Sequence, residues 1–102
     1  MKDVVIINVE SITDITQLHI LLKKELNFPE FYGMNWDAFW DAITGLVELP
    51  NVINFKGWKC LEYSLPEDSR ILENMFTLGF YSITNGNDYI KIIVINMICF
   101  SV

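Results

Sequence analysis

The chain has 102 residues, 52% of them hydrophobic and 14% aromatic, which suits one folded domain over 1–102 with a single core. Thirteen acidic against seven basic side chains give a formal charge of -6. That argues against a direct nucleic-acid binder, which needs a basic face for phosphates, and is compatible with plain solubility or with a basic protein partner.

Met1-Lys2-Asp3 runs straight into Val4–Ile7, without a signal-peptide h-region or a small-residue cleavage site. The apolar stretch Tyr89–Phe100 is interrupted by Lys91 and Asn96 and falls short of a membrane span. Cys60 and Cys99 have neither metal spacing nor a disulfide framework. The expectation is a soluble cytoplasmic chain with reduced thiols and no membrane association.

Val4–Val9 is a nearly continuous β-branched run, the pattern of a strand buried on both faces. Thr13 or Asp14 can cap a helix in which Ile15, Leu18, Leu22 and Leu26 recur at helical spacing, with Lys23, Lys24 and Glu25 turned outward. Asn27-Phe28-Pro29 ends it, because a residue before proline avoids helical backbone. Gly33 could supply a positive φ ahead of the next helix, for which Asn35 is a good N-cap. That helix should run to about Ile43 and stop at Thr44-Gly45, with room for one more turn over Leu46–Leu49.

Val52–Phe55 reads as a second strand. Ser64-Leu65-Pro66-Glu67 has the form of a capping box, opening a helix that points Ile71, Leu72, Met75, Phe76 and Gly79 toward a core. Asn85-Gly86 is a turn, and Ile90–Ile95 a third strand without alternation. Strands alternating with helices predict an α/β fold, a small three-stranded parallel sheet packed with helices.

Chemistry concentrates in residues 25–55, which hold five carboxylates and no Lys or Arg. Asp37 and Asp41 are four apart, so on a helix they share a face about one turn apart and repel one another. Asp37 near a helix N-terminus is explained by the helix dipole alone; Asp41, past the first turn, is not. Trp36, Phe39 and Trp40 crowd the same segment, and a helix this short can hardly bury all three. An aromatic left partly exposed beside two acids has the composition of an interface anchor. Tyr32 suits either that surface or the core. His19, the only histidine, sits beside Leu18 with no nucleophile near it and reads as structural or surface. No Gly-rich phosphate loop or metal-ligand cluster is visible, so no cofactor, no metal and no enzyme activity are expected.

From Ser11 through Leu18-His19, Leu22-Lys23-Lys24-Glu25-Leu26, Pro29-Glu30-Phe31-Tyr32-Gly33, Asn35, Asp37-Ala38, Trp40-Asp41, Thr44-Gly45 and Val47-Glu48 to Pro50, the chain resembles the barstar family. These are intracellular inhibitors of barnase-type ribonucleases. The resemblance implies three parallel strands with four helices, and a second helix and preceding loop that plug a basic ribonuclease active site. Asp41 would enter the phosphate-binding pocket and Asp37 would pair with an arginine. Tyr32, Asn35, Ala38, Trp40, Thr44 and Gly45 fall on contact or support positions, and Phe31, Trp36, Leu46 and Glu48 complete the implied partner-binding set.

Phe31 stands in place of a family tyrosine, Trp36 of a leucine and Leu46 of a tryptophan. The family's later-helix glutamate falls at Thr77 or Leu78, with Glu73 nearest. The implied role is an immunity protein, monomeric when free, in a 1:1 complex with a basic ribonuclease or ribonuclease-like toxin. The alternative is an immunity or regulatory module of the same fold aimed at a non-ribonuclease basic toxin or another basic protein.

Overall fold

In the computed structural model, which describes residues 4–79, 81–85 and 90–95, the first apolar run forms strand β1 (Val4–Asn8). Helix α1 (Ile15–Glu25) follows, its N-cap Asp14 accepting from the Gln17 N–H at 2.8 Å. Gln17 Oε1 returns the favour by accepting from the Thr13 N–H at 2.8 Å, so the first turn is satisfied from both sides. Leu18, His19 and Leu22 form its buried stripe. The helix ends where Asn27 turns left-handed (φ 58) and the Phe28 N–H reaches back to Lys23 O. That is a Schellman closure, a more specific stop than the restriction imposed by Pro29.

Helix α2 (Trp36–Asp41) passes directly into a π-helical turn over Ala42–Leu46. Strand β2 (Val52–Lys56), α3 (Trp58–Ser64), α4 (Pro66–Leu78), β3 (Tyr81–Asn85) and β4 (Ile90–Ile95) complete the order. The sheet runs β1-β2-β4-β3. β1 and β2 are parallel, Val4 opposite Val52 through Asn8 opposite Lys56. β4 is antiparallel to both β2 and β3.

The α/β class and four helices agree with expectation; the three-stranded parallel sheet does not. Among the described residues only β1 and β2 run parallel, and β3 is an additional strand. The connection between β3 and β4 explains the difference: it spans four residues, 86–89, whereas a parallel crossover needs a dozen or more. The Asn85-Gly86 turn lies across the edge of the described residues, and Cys99 lies outside them.

Other local expectations change as well. β1 is not buried on both faces: Ile7 is 0% exposed but Ile6 is 63% exposed, because β1 is a sheet edge and the helices pack one side. Leu46–Leu49 adds no helical turn; the chain leaves helical geometry after Leu46. Ser64 caps nothing, since its backbone already closes α3. α4 instead starts from Leu65 with Pro66 in its first turn and Glu67 and Asp68 against its positive end.

One core joins Ile7 and Val9, Leu18 and Leu22, Phe39, Ile53 and Phe55, Leu61, Leu72 and Phe76, and Ile93. Aromatic edges link its layers: Phe28 to Phe39 at 5.7 Å, Phe39 to Phe76 at 5.6 Å and Phe76 to Phe55 at 6.1 Å between centroids. Phe39 is thus the pin that joins α2 to α4 and, through Phe76, to the sheet.

Gly57 makes the turn from β2 into α3 at φ 82, and a Cβ there would run into Glu10, whose Cα and N lie 3.1 Å away. A Cβ on Gly45 would meet nothing within 4 Å. Gly57→Ala should therefore cost more than about 1 kcal/mol in urea unfolding, whereas Gly45→Ala should leave the midpoint unchanged or raised. Equal midpoints for the two variants would contradict this account of the turn.

Candidate functional site

The segment from Phe31 to Glu48 is built outward from buried groups. Tyr32 is 7% exposed, and its hydroxyl is hydrogen-bonded to Nδ1 of His19 at 2.6 Å. The His19 ring packs on Trp36 at 4.7 Å, and the Trp36 indole N–H donates to Asp68 Oδ1 of α4 at 3.0 Å. Four side chains from α1, the loop, α2 and α4 therefore meet in one joint beneath the segment. Burial pushes the Tyr32 phenol up, keeping it protonated. It pushes His19 below its ordinary value, opposed by the charge of Asp68, so the imidazole is held neutral.

The approach to α2 turns at Met34, which adopts φ 58, and not at Gly33. Gly33 is needed for space: a Cβ there would lie 3.2 Å from Ala38 Cβ. A left-handed methionine is uncommon and persists only where its surroundings hold it; Met34 packs against the core cluster. Asn35 then caps α2 as expected, its Oδ1 accepting from the Ala38 N–H at 2.7 Å and its Nδ2 donating to Gly33 O at 3.2 Å.

Of the sequence-predicted residues, Asp37 and Asp41 are exposed on α2. Neither carboxylate has an ion-pair or hydrogen-bond partner among the described residues. Glu30 nearby is approached by Lys23 at 3.8 Å, whereas no cation among the described residues reaches the pair. Trp40 is half-buried but outside the core cluster, while Phe39 takes the inward position. Phe31 is 75% and Leu46 50% exposed, large apolar side chains left in solvent on either side of α2 in the chain.

Thr44 and Gly45 are exposed within the π-helical turn, where the Thr44 hydroxyl donates to Trp40 O at 2.6 Å. Single π turns interrupt α-helices rarely, and often at functional sites; this one begins immediately after Asp41. Gly45 has no positive φ and does not stop the helix, contrary to expectation.

Trp36 and Tyr32 are turned inward into the joint, and Ala38 is half-buried against the core. Glu48 lies beyond the π turn and lines an open depression of about 580 Å³ with Lys24, Glu25 and Asn27. Asp68 was not singled out from the sequence: its first-turn position in α4 reads as a dipole residue, and a contact 32 residues away leaves no local pattern. No three metal-ligating side chains gather among the described residues, and no described helix is long and apolar enough to cross a membrane.

A family model described as Barstar (barnase inhibitor) matches residues 2–82. A protein of Bacillus subtilis (strain 168) named "Putative ribonuclease inhibitor YrdF" is 42% identical over 55 residues, which is 54% of this chain and 60% of that protein. The chain thus matches less than two thirds of that relative's length.

Neutral burial of His19 fixes the sign of a pH effect. Above the ordinary value of 6.5 both folded and unfolded states hold the imidazole neutral, and its stability contribution is complete. As pH falls below that value the unfolded chain takes a proton that the folded chain resists, so stability is lost until the lowered folded value is passed. Unfolding free energies from urea melts between pH 8 and 5 should fall more steeply in wild type than in His19→Gln, by at most ~1.4 kcal/mol per pH unit, the limit for one proton. Parallel profiles for the two proteins would remove the histidine from the pH response.

Proposed function

The chain belongs to the barstar family, and from that premise we propose that it is an intracellular inhibitor that blocks the basic active site of a ribonuclease with its acidic helix. The supporting observation is the pair Asp37 and Asp41, exposed on one short helix and without any cation of the described chain to neutralise them. A ribonuclease site is basic because it binds phosphate, so two carboxylates on a held backbone can substitute for that charge. Asp41 is assigned to the phosphate pocket and Asp37 to a neighbouring arginine.

Around the acids, Phe31, Trp40 and Leu46 serve as apolar anchors, and Thr44 and Gly45 offer a low, polar stretch of backbone. Tyr32, Asn35, Trp36 and Ala38 hold the segment from beneath. Glu48 belongs to the rim. The protein has no turnover of its own, is monomeric when free, and acts by 1:1 occlusion. Complementary charge also accelerates encounter, which suits an inhibitor that must capture enzyme before it reaches RNA.

Barnase, named in the description of the matching family, is the first probe for calorimetry and for urea melts run in parallel. Asp41→Ala should weaken the complex by about 2 kcal/mol or more, the scale for truncating one side of a buried charge pair, of which barnase–barstar is itself a source. Its folding stability should be unchanged or slightly higher, because repulsion with Asp37 disappears. Gly45→Ala should likewise spare stability yet weaken binding where the partner approaches the backbone closely. An Asp41→Ala variant that unfolds while binding survives would make the aspartate structural and remove the central residue of this reading.

The association rate should also fall between 50 and 500 mM NaCl, since exposed charges are screened beyond about 8 Å at physiological ionic strength. A flat rate profile would separate the acidic face from steering.

A further inference from the structure

Trp36 is the first residue of α2, and its indole N–H donates to Asp68 Oδ1 of α4 at 3.0 Å. Both residues are half-buried. On its other side the indole meets His19, which is bonded to Tyr32 in the loop leading into α2. The helix itself has six residues and one fully buried side chain, Phe39. Six residues have negligible helix stability on their own. Phe39, helped by Ala38 and by the buried Ala42 just beyond the helix, sets how close the helix lies to the core. The tether from Trp36 to α4 fixes the opposite, leading end of the helix.

We propose that Asp68 is a positioning residue for the acidic helix: through the Trp36 N–H it sets the orientation in which Asp37 and Asp41 meet a partner, a role that rests on the inhibitory reading above. The plainer use of Asp68 is favourable interaction with the positive end of α4. Substitution separates the two. Asp68→Asn keeps an oxygen acceptor for the indole and gives up the charge. Asp68→Ala gives up both. Trp36→Phe keeps a ring against His19 and gives up the N–H.

Amide hydrogen exchange of the free protein reads the tether without a partner. Asp68→Ala and Trp36→Phe should each raise exchange about tenfold or more at the amides of Phe39, Ala42 and Val47, which bond to Asn35, Ala38 and Ala42 carbonyls. Leu22 in α1 and Ile53 in β2 should stay protected, and Asp68→Asn should resemble wild type. Affinity for barnase, used as the probe, should fall in the same two variants, with the double variant no worse than either single one.

Exchange in α2 that is unchanged, or that rises equally across the domain, overturns the positioning role. So does an Asp68→Asn variant as impaired as Asp68→Ala. Failure of wild type to bind barnase would instead count against inhibition of that enzyme, while exchange in α2 still upholds or overturns the tether.

Discussion

A six-residue helix cannot hold itself in water, so whatever α2 presents depends on what grips it from below. The grip is largely aromatic. Phe39 sits between Phe28 and Phe76, and Trp36 and Tyr32 flank His19 in the adjoining joint. Ring pairs of this kind contribute beyond simple area burial because edges and faces carry opposite partial charge. The polar atoms inside the joint are matched to one another, as groups withdrawn from water must be. Tension between a crowded interior and a charged exterior is what gives the segment its form.

The exterior would be unfavourable on any less constrained backbone. Two like charges one turn apart weaken a helix, and the left-handed Met34 just ahead of it adds a further local cost. Both features are maintained by neighbouring order: the Asn35 cap ahead of Asp37, and the core contacts of Met34 and Ala38. Local rules of stability are overridden here, because the surrounding fold is secure enough to carry the cost.

Much of this was legible in the sequence where the determinant is short-range. The stripe of Leu18 and Leu22, the Asn35 cap and the solvent position of Asp37 and Asp41 each follow from spacing within one or two turns. Strand direction was not legible, because it depends on the four-residue link from β3 to β4 and on recognising Tyr81–Asn85 as a strand at all. Ser64 matched a capping motif that its place at the end of α3 prevents from forming. Spacing does not decide which of Trp36, Phe39 and Trp40 turns inward, and the bond of Trp36 to Asp68 leaves no local signal because its partner lies on another helix. Gly33 and Met34 show the same limit at shorter range: the glycine was needed for the approach of Ala38, and the turn fell one residue later.

The π-helical turn gives this surface an unusual relation to chain length. Ala42–Leu46 winds five residues where an α-helix would need fewer for the same closure, with the Val47 N–H returning to Ala42 O. Deleting any one of those residues would let the ordinary pattern resume, and all that follows would rotate by about 100° around the axis. Asp37 and Asp41 precede the turn and would keep their bearing, whereas Glu48 would swing away. Related chains that differ by one residue across this stretch would therefore keep the same acidic pair and carry a different flank beside it, a change that no substitution makes.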